Sequence, residues 1–346
     1  MEKLVLFGTW LLILSAQFVS GQSMPWGGDG DDYRVESDPI QGDWAGTWTQ
    51  GPGGKAGEIV AQVIARGSGN YTVRILNYFD KRTAPYLVID ATSNDGILRF
   101  EEGVWSGEIH GNKFTGQGSF KPGSFGRFSM ERVTRLSATL GALPPSGAVV
   151  LFNGADFSAW KSQGKTESMN WRLLRSGAME INADEGVARH GLQSVKAFKD
   201  LKLHLEFRLP LLPHNVGQKR ANSGVFIHGY EIQILDSYGL EGYENECGAF
   251  YKFKAPSVNM CAPPLQWQTY DIEYKAARFD ASGKVTSWPS FTVFQNGKLI
   301  HQNLEMNFET HNKDGIRTKP PSEALPISLQ HHGAAVQFRN IWVVER

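Results

Sequence analysis

Alternating apolar and polar positions recur from residue 41 onward and predict β-strands rather than helices. Residues 201–209 read LKLHLEFRL, with an apolar side chain at every second position. Side chains of a strand point alternately to its two faces, so one face is predicted to be buried and the other wet. Residues 269–275, 327–332 and 336–344 show related patterns, and Asn296 followed by Gly297 is typical of a two-residue hairpin turn.

Residues 222–236, which read NSGVFIHGYEIQILD, predict two strands joined by a tight turn. In the second strand Tyr230, Ile232 and Ile234 share one face. Glu231 and Gln233 share the other, where a carboxylate and an amide with fixed directions could hydrogen-bond the hydroxyls of a carbohydrate. The alternative is that this is an ordinary solvated strand face.

The pattern divides the chain into two β-rich units behind an N-terminal leader. Residues 4–16 are an apolar run too short to span a bilayer comfortably, with small residues just after it, so we expect a signal peptide and an exported protein, secreted or periplasmic, without a membrane anchor after cleavage. The predicted parts are a signal peptide at 1–21, a flexible Gly- and Asp-rich leader at 22–40, a small β-barrel or meander at 41–140, a Pro-containing linker at 141–148, and a two-sheet sandwich at 149–346.

Composition narrows the function classes. The 35 basic and 35 acidic residues balance, which argues against a nucleic-acid partner and against a polybasic membrane surface. No nucleophile elbow, zinc-protease helix, phosphate loop or dinucleotide fingerprint occurs. In an exported protein Cys247 and Cys261 could form a disulfide, worth about 3 kcal/mol in the chain-entropy model; two buried free thiols are the alternative.

Three predicted strands repeat one design, in which hydrogen-bonding side chains occupy the face opposite the apolar one. If these strands are neighbours, their polar faces together could carry out general acid–base chemistry on a sugar; if they lie apart, each face is simply wet. The pairs are Glu206 with Arg208, Glu231 with Gln233, and Gln330 with His332. His331 falls on the core side of its strand.

Further candidates each have a structural alternative. Asn222 could touch a ligand or form a turn with its own backbone, and Asp236 could cap the turn after its strand. Tyr251 and Trp267 could stack on a sugar ring or belong to the core.

The second unit resembles the 3-keto-disaccharide hydrolase family, also described as 3-keto-glucoside lyases or hydratases. The motifs that carry the resemblance occur in order along nearly the whole unit: LFNGADFSAW at 151–160, the strand at 203–208, NSGVFIH at 222–228, YEIQILD at 230–236, GAFY at 248–251, WQTY at 267–270, NG at 296–297, LQHHG at 329–333 and FRNI at 338–341.

The resemblance implies a concanavalin A-like jelly roll with a concave sugar-binding face and activity on glycosides already oxidised at C3. It implies a base that removes the C2 proton, elimination of the C1 substituent, and addition of water. In that scheme Glu231 and His332 serve as base and acid, and they are also the candidate ligands if a divalent metal takes part. Arg208 stabilises the enolate. The expected substrate-binding residues are Glu206, Asn222, His228, Gln233, Asp236, Tyr251 and Gln330.

Two positions depart from the family pattern. The family commonly has Arg where His228 stands and an acidic or polar residue where His331 stands, which puts the substrate in doubt. The rival function from another class is a non-catalytic carbohydrate-binding or lectin-like module, since the fold alone does not decide function. A glycoside hydrolase of the ordinary type is less favoured, because no strand carries the paired carboxylates that it needs.

Overall fold

A computed structural model describes residues 37–51, 54–120, 124–164, 169–310 and 319–346. The predicted signal peptide and most of the predicted leader lie outside these ranges. Within them, no helix is long and apolar enough to cross a membrane.

The first unit is a closed antiparallel barrel. Each strand pairs with the next along the chain, and the last pairs with the first, so no strand edge is left unpaired. The strands are β1 (Gly42–Thr49), β2 (Ala56–Gly67), β3 (Asn70–Leu76), β4 (Leu87–Asn94), β5 (Ile97–Glu102), β6 (Trp105–His110), β7 (Lys113–Ser119) and β8 (Phe125–Val133). Trp44 and Trp48 are buried and belong to the aromatic core of the barrel.

The second unit contains two packed sheets. Its strands are β9 (Val149–Phe152), β10 (Trp160–Ser162), β11 (Trp171–Leu173), β12 (Met179–Ile181), β13 (Leu192–Phe198), β14 (Leu201–Arg208), β15 (Ser223–Ile227), β16 (Tyr230–Ile234), β17 (Trp267–Lys275), β18 (Arg278–Phe279), β19 (Val285–Ser287), β20 (Ser290–Gln295), β21 (Lys298–Glu305), β22 (Leu325–Leu329) and β23 (Gln337–Glu345). A single 3₁₀ turn at Gly217–Lys219 lies between β14 and β15 in the described chain.

A five-stranded sheet has the order β10-β13-β22-β15-β16. A larger sheet has the order β11-β12-β23-β14-β17-β20-β21, with β9 also paired to β23, while β18 and β19 form a separate pair. The core between the two main sheets includes Leu205 and Phe207 of β14 and Ile232 and Ile234 of β16, all buried. The predicted all-β class, a concanavalin A-like jelly-roll sandwich preceded by a small barrel, is confirmed.

Two hairpins show why the turn residues are needed. Asn296 and Gly297, between β20 and β21, both have positive φ, as a type I′ turn requires. His228 and Gly229 do the same between β15 and β16, with φ of 51° and 81°. The first hairpin was predicted from its Asn-Gly pair, and the second fixes the register that places Glu231 opposite Phe226.

The interdomain segment, residues 134–148, lies on the outer face of the larger sheet. The Ser137 hydroxyl is 2.6 Å from that of Thr269, and the Thr139 hydroxyl donates to Asp271 at 2.6 Å. The Gly141 N–H donates to Glu206 at 2.5 Å. Polar side chains on β14 and β17 are therefore covered by the chain itself.

The barrel is docked on the sandwich through polar contacts. The Tyr238 hydroxyl donates to Asp43 at 3.0 Å, and Asp43 also pairs with Arg135 at 2.7 Å. Arg74 donates to the Gly239 carbonyl and to Glu241, both at 2.6 Å. Several of these groups are buried, so the contacts hold the two units together away from water.

The two cysteines are free and buried in the sandwich, so the expected disulfide is wrong for this structure. The Cys247 thiol lies 3.2 Å from the Tyr270 hydroxyl and accepts a hydrogen bond from Gln295 at 3.3 Å. The Cys261 thiol donates to the Ala262 carbonyl at 3.5 Å. Both thiols are thus satisfied as small, buried, weakly polar groups.

Candidate functional site

A row of side chains crosses the face of the five-stranded sheet that points away from the core. Residues directly opposite one another on neighbouring strands share a face. Glu231 is opposite Phe226, Phe226 is opposite Ser328, Ser328 is opposite Gln193, and Gln193 is opposite Lys161. These five residues form the polar row, which places the carboxylate of β16 in line with hydrogen-bonding groups on three other strands.

A cavity of about 660 Å³, the sheet cavity, lies over the middle of this row. Its walls include an aromatic ring, amides, a hydroxyl, an imidazole and a guanidinium: Phe226, Gln163, Gln193, Gln330, Ser328, His331 and Arg189. A cavity of this size with few, directed polar groups suits a small polar ligand such as a sugar.

Among the titratable groups on this face, Glu231 has the most strongly shifted pKa. Its side chain is only 2% exposed, and burial raises its pKa to about 8. Its Oε1 lies over the backbone of Gly224, where a Cβ would come within 2.3 Å of it. The Thr310 hydroxyl accepts the Glu231 N–H at 3.1 Å. The backbone of Glu231 is therefore anchored, and its buried carboxyl group is largely protonated at neutral pH.

An amide cluster continues the face beyond Glu231. Gln233 donates through Nε2 to Gln218 Oε1 at 2.9 Å, and Asn222 donates to the same oxygen at 2.9 Å. Within the described chain, the buried Oε1 atoms of Gln233 and Gln330 have no hydrogen-bond donor. Buried acceptors without donors are costly, and a ligand with hydroxyl groups would satisfy them.

Tyr251 lies beside Glu231. Its backbone N–H donates to the Glu231 carbonyl at 3.2 Å, and burial together with the negative charge of Glu231 raises the pKa of its hydroxyl. Tyr251 is half-buried, whereas Trp267 packs against Arg339, with the guanidinium 4.1 Å from the ring centroid, on the other sheet.

His331 and His332 lie in the opposite places to those that the strand pattern predicted. Strand β22 ends at Leu329, so the alternation that placed His332 on the polar face and His331 on the core side does not continue to them. His331 lines the sheet cavity and its Nε2 is 3.1 Å from the Asn182 carbonyl, while His332 is exposed. The expected pairing of His332 with Glu231 in acid–base work therefore has no structural support.

Glu206 and Arg208 are also displaced from the site. Their strand, β14, lies in the larger sheet between β17 and β23, so the hypothesis that all three polar strand faces are neighbours is wrong. Glu206 is fully buried beneath the interdomain segment and pairs with Arg339 at 2.7 Å. Arg208 donates to the Leu265 carbonyl at 2.9 Å.

His228 and Asp236 are buried in structural contacts. The His228 Nε2 lies 2.8 Å from the Phe198 carbonyl, and its ring packs on Tyr274 at 4.7 Å. Asp236 pairs with buried Arg220 at 2.5 Å and accepts the Tyr238 N–H at 3.2 Å. Neither contact directs the side chain onto the polar row, so the expectation that they bind substrate finds no support in this geometry.

Sequence reasoning missed Gln218, Thr310 and Arg189. Gln218 sits in the long connection before β15, and Thr310 follows β21, so neither carries a strand pattern. Gly224 was a signal that the sequence did contain. A glycine inside a strand leaves room for a neighbouring side chain, and Gly224 lies directly opposite Gln233.

No group of three or more His, Cys, Asp or Glu residues suited to a metal ion occurs in the described part of the chain. The two ligand candidates, Glu231 and His332, differ in placement, one buried on the sheet and the other exposed beyond the end of β22. These residues do not fit a shared metal site.

Comparison with known proteins agrees with this architecture. A family model described as the 3-keto-alpha-glucoside-1,2-lyase-like domain matches residues 147–344, more than half of the chain. The chain therefore belongs to this family.

The solved structures that match include proteins from Parabacteroides distasonis. One, described as a "putative glycosyl hydrolase", is 32% identical, with the alignment covering 67% of this chain and 91% of that one, at a TM-score of 0.52. A second with the same description is 18% identical over 58% of this chain and 94% of that one, at a TM-score of 0.44. Among curated proteins, none matches the chain.

Proposed function

We propose that this protein cleaves 3-keto-glycosides by elimination and hydration, with Glu231 as the group that moves the proton. The observation that carries the proposal is the buried carboxyl of Glu231, with a pKa of about 8, on a sheet face lined by amides. Family membership and the glycosyl hydrolase description of the 32%-identical structure support a carbohydrate substrate.

A ketone at C3 makes the C2 proton removable, because the electrons left behind are shared with the C3 oxygen. Deprotonated Glu231 takes this proton, and the C2–H bond breaks to form an enolate. A base whose pKa lies near 8 is stronger than an ordinary carboxylate and is still deprotonated in part at neutral pH.

The enolate then re-forms the C3 carbonyl and a C1–C2 double bond, while the C1–O bond breaks and its electrons leave with the substituent. The protonated Glu231 can return its proton to that departing oxygen. Water next adds hydroxide to C1 and a proton to C2, so the net reaction is hydrolysis. The guanidinium of Arg189, on the wall of the sheet cavity, replaces Arg208 as the positive group proposed to stabilise the enolate.

The remaining groups of the face would bind rather than react. The Oε1 atoms of Gln233 and Gln330 would accept from sugar hydroxyls, and the ring of Phe226 would face the apolar side of the sugar ring. Export from the cell is proposed from residues 1–21 alone.

A non-catalytic carbohydrate-binding module is the second candidate, because Phe226 and the amides of Gln163, Gln193 and Gln330 that line the sheet cavity would suffice for binding. The raised pKa of Glu231 favours the enzyme, since binding alone needs no tuned acid.

The deciding experiment incubates the protein with an aryl 3-keto-glucoside and with its unoxidised parent, with and without chelator. Release of the aryl alcohol from the keto compound alone supports the proposal. Glu231→Gln should lower this rate at least ~100-fold. Glu305→Gln, which alters an exposed carboxylate on the other sheet, is the control. Binding without turnover of either compound would favour the module.

A further inference from the structure

A second cavity, the barrel cavity, lies where the barrel meets the sandwich. It has a volume of about 670 Å³ and is lined by barrel residues of β2, β3 and β4 together with Val216 from the connection before β15. The polar row and its sheet cavity are on the five-stranded sheet, so this is a separate site shared by both units of the chain.

The barrel side of this cavity is an ordered polar wall. Arg66 donates through Nε to the Thr72 hydroxyl at 2.9 Å, and Thr72 donates to Asp90 at 2.6 Å. Beside them, the Thr92 hydroxyl donates to Asn70 at 2.9 Å. The strand register sets Thr72 opposite Asp90 and Asn70 opposite Thr92, so these groups project from one surface with fixed directions.

The sandwich contributes one lining residue to the cavity, the exposed aliphatic side chain of Val216. Val216 is 71% exposed, which makes it the most exposed large hydrophobic residue in the described part of the chain. A cavity lined by an aliphatic side chain together with hydroxyl, amide, carboxylate and guanidinium groups matches a sugar ring, which has C–H faces and a hydroxyl edge. Arg66 and Asp90 offset each other's charge, which favours a neutral sugar over an anionic one.

The barrel cavity and the polar face share one short piece of chain. Val216 lines the cavity, and Gln218, two residues on, accepts the hydrogen bond from Gln233. The barrel holds this connection closely, because a Cβ at Gly67 would come within 2.2 Å of the His214 ring. Residues 214–218 therefore connect the barrel cavity to the amide cluster around Gln233.

We propose that the barrel cavity is a binding subsite for a neutral sugar unit of a longer substrate. The inference rests on the proposed function for its link to catalysis. It gives the barrel a role in selecting extended glycosides over shorter ones, since each added contact with the substrate is expected to raise affinity.

The test uses Asp90→Ala and Val216→Ser, which alter exposed side chains and leave the polar row intact, with Glu131→Ala on the exposed side of β8 as control. Calorimetry would measure the binding of unoxidised glucosyl oligosaccharides of two to four units, in α- and β-linked series. The proteins would be the intact Glu231→Gln variant and the same variant carrying each further substitution. Affinity should rise with the length of the oligosaccharide. Asp90→Ala and Val216→Ser should each lower the affinity for the longer oligosaccharides about tenfold.

The control should retain the full gain. Affinity that does not increase with length, or that increases equally in all three variants, would overturn the subsite. Because these measurements need no turnover, they separate failure of the subsite from failure of the proposed reaction. Kinetics with 3-keto substrates would then show a loss in kcat/KM for long substrates only.

Discussion

The Glu231 carboxyl lies over Gly224 on the adjacent strand, where a Cβ would be 2.3 Å from Glu231 Oε1. The backbone of Gly224 does not have a positive φ, so alanine is compatible with the strand itself. What glycine provides here is room for the carboxyl group.

Gly224→Ala should therefore displace the carboxyl and lower kcat/KM for a 3-keto-glucoside by about tenfold or more, since small misplacements of a reacting group are costly. Adding Glu231→Asp, which shortens the side chain, should restore part of the loss if crowding is the cause. Full activity in Gly224→Ala would contradict this account of the site.

The pH profile should report the raised pKa of Glu231. As the base that takes the C2 proton, Glu231 must be deprotonated, so kcat/KM should rise with pH and level off above about 8. The measurement is initial rates from pH 5 to 10 for the native protein, with Gln233→Ala as a variant that keeps the carboxyl. A profile that falls through this range would instead make Glu231 the acid.

Stability should depend on pH through the same group. The folded protein keeps the proton on Glu231 up to about pH 8, whereas the unfolded chain loses it near 4.5. The stabilisation this gives is complete below the unfolded pKa and is lost as the pH rises through the folded one.

Urea unfolding at pH 5 and pH 9 would measure this effect. Glu231→Gln should be the more stable protein at pH 9, by a few kcal/mol and by about 5 at most from the size of the shift. At pH 5 the two should be similar. Equal stability at both values would mean that the carboxyl is not buried as the structure shows.

Glu206→Gln should affect folding and not catalysis. Burial raises the pKa of Glu206, but hydrogen bonds from His204, Asn340 and Arg339 outweigh it and hold that pKa low. Weakening this buried pair should cost about 3 kcal/mol in the free energy of unfolding. Turnover per folded molecule should be unchanged.

Glu273→Gln is the matched control, because its carboxylate lies on the same sheet but is 44% exposed, 3.7 Å from Lys202. It should cost at most about 1 kcal/mol. A large loss of turnover in Glu206→Gln, with stability retained, would return Glu206 to the site.

The thiols of Cys247 and Cys261 should react with an aromatic disulfide reagent only after unfolding, because both are buried. Protein prepared and unfolded without reductant should release two equivalents of the coloured thiolate. No release would show that the pair is oxidised in the protein as isolated, whatever the geometry of the free thiols.

Alternation along single strands was sufficient to place Glu231 and Gln233 on one face and Ile232 and Ile234 on the other. It was not sufficient to find the neighbours of β14, because strand order depends on contacts between distant parts of the chain. The sheet partners of β14 are β17 and β23, and neither contributes to the polar row.

The wrong predicted placement of His331 and His332 has a different origin. Period-two reasoning holds only while the backbone remains extended in a strand, and β22 ends one residue before Gln330. The burial of Glu206 was equally hidden, because the covering residues 137–142 come from outside the strand pattern. Gln218 joined the site from a connection that no periodicity describes.

The boundary of the family and the boundary of the fold do not coincide. The family match begins at residue 147, yet Ser137, Thr139, Gly141 and Ala142 complete the outer face of the larger sheet. Beneath them His204 stacks on Trp342, and the Asn340 amide donates to the Ala142 carbonyl. A chain truncated at the family boundary would lose these contacts and expose the buried polar groups of this face to water.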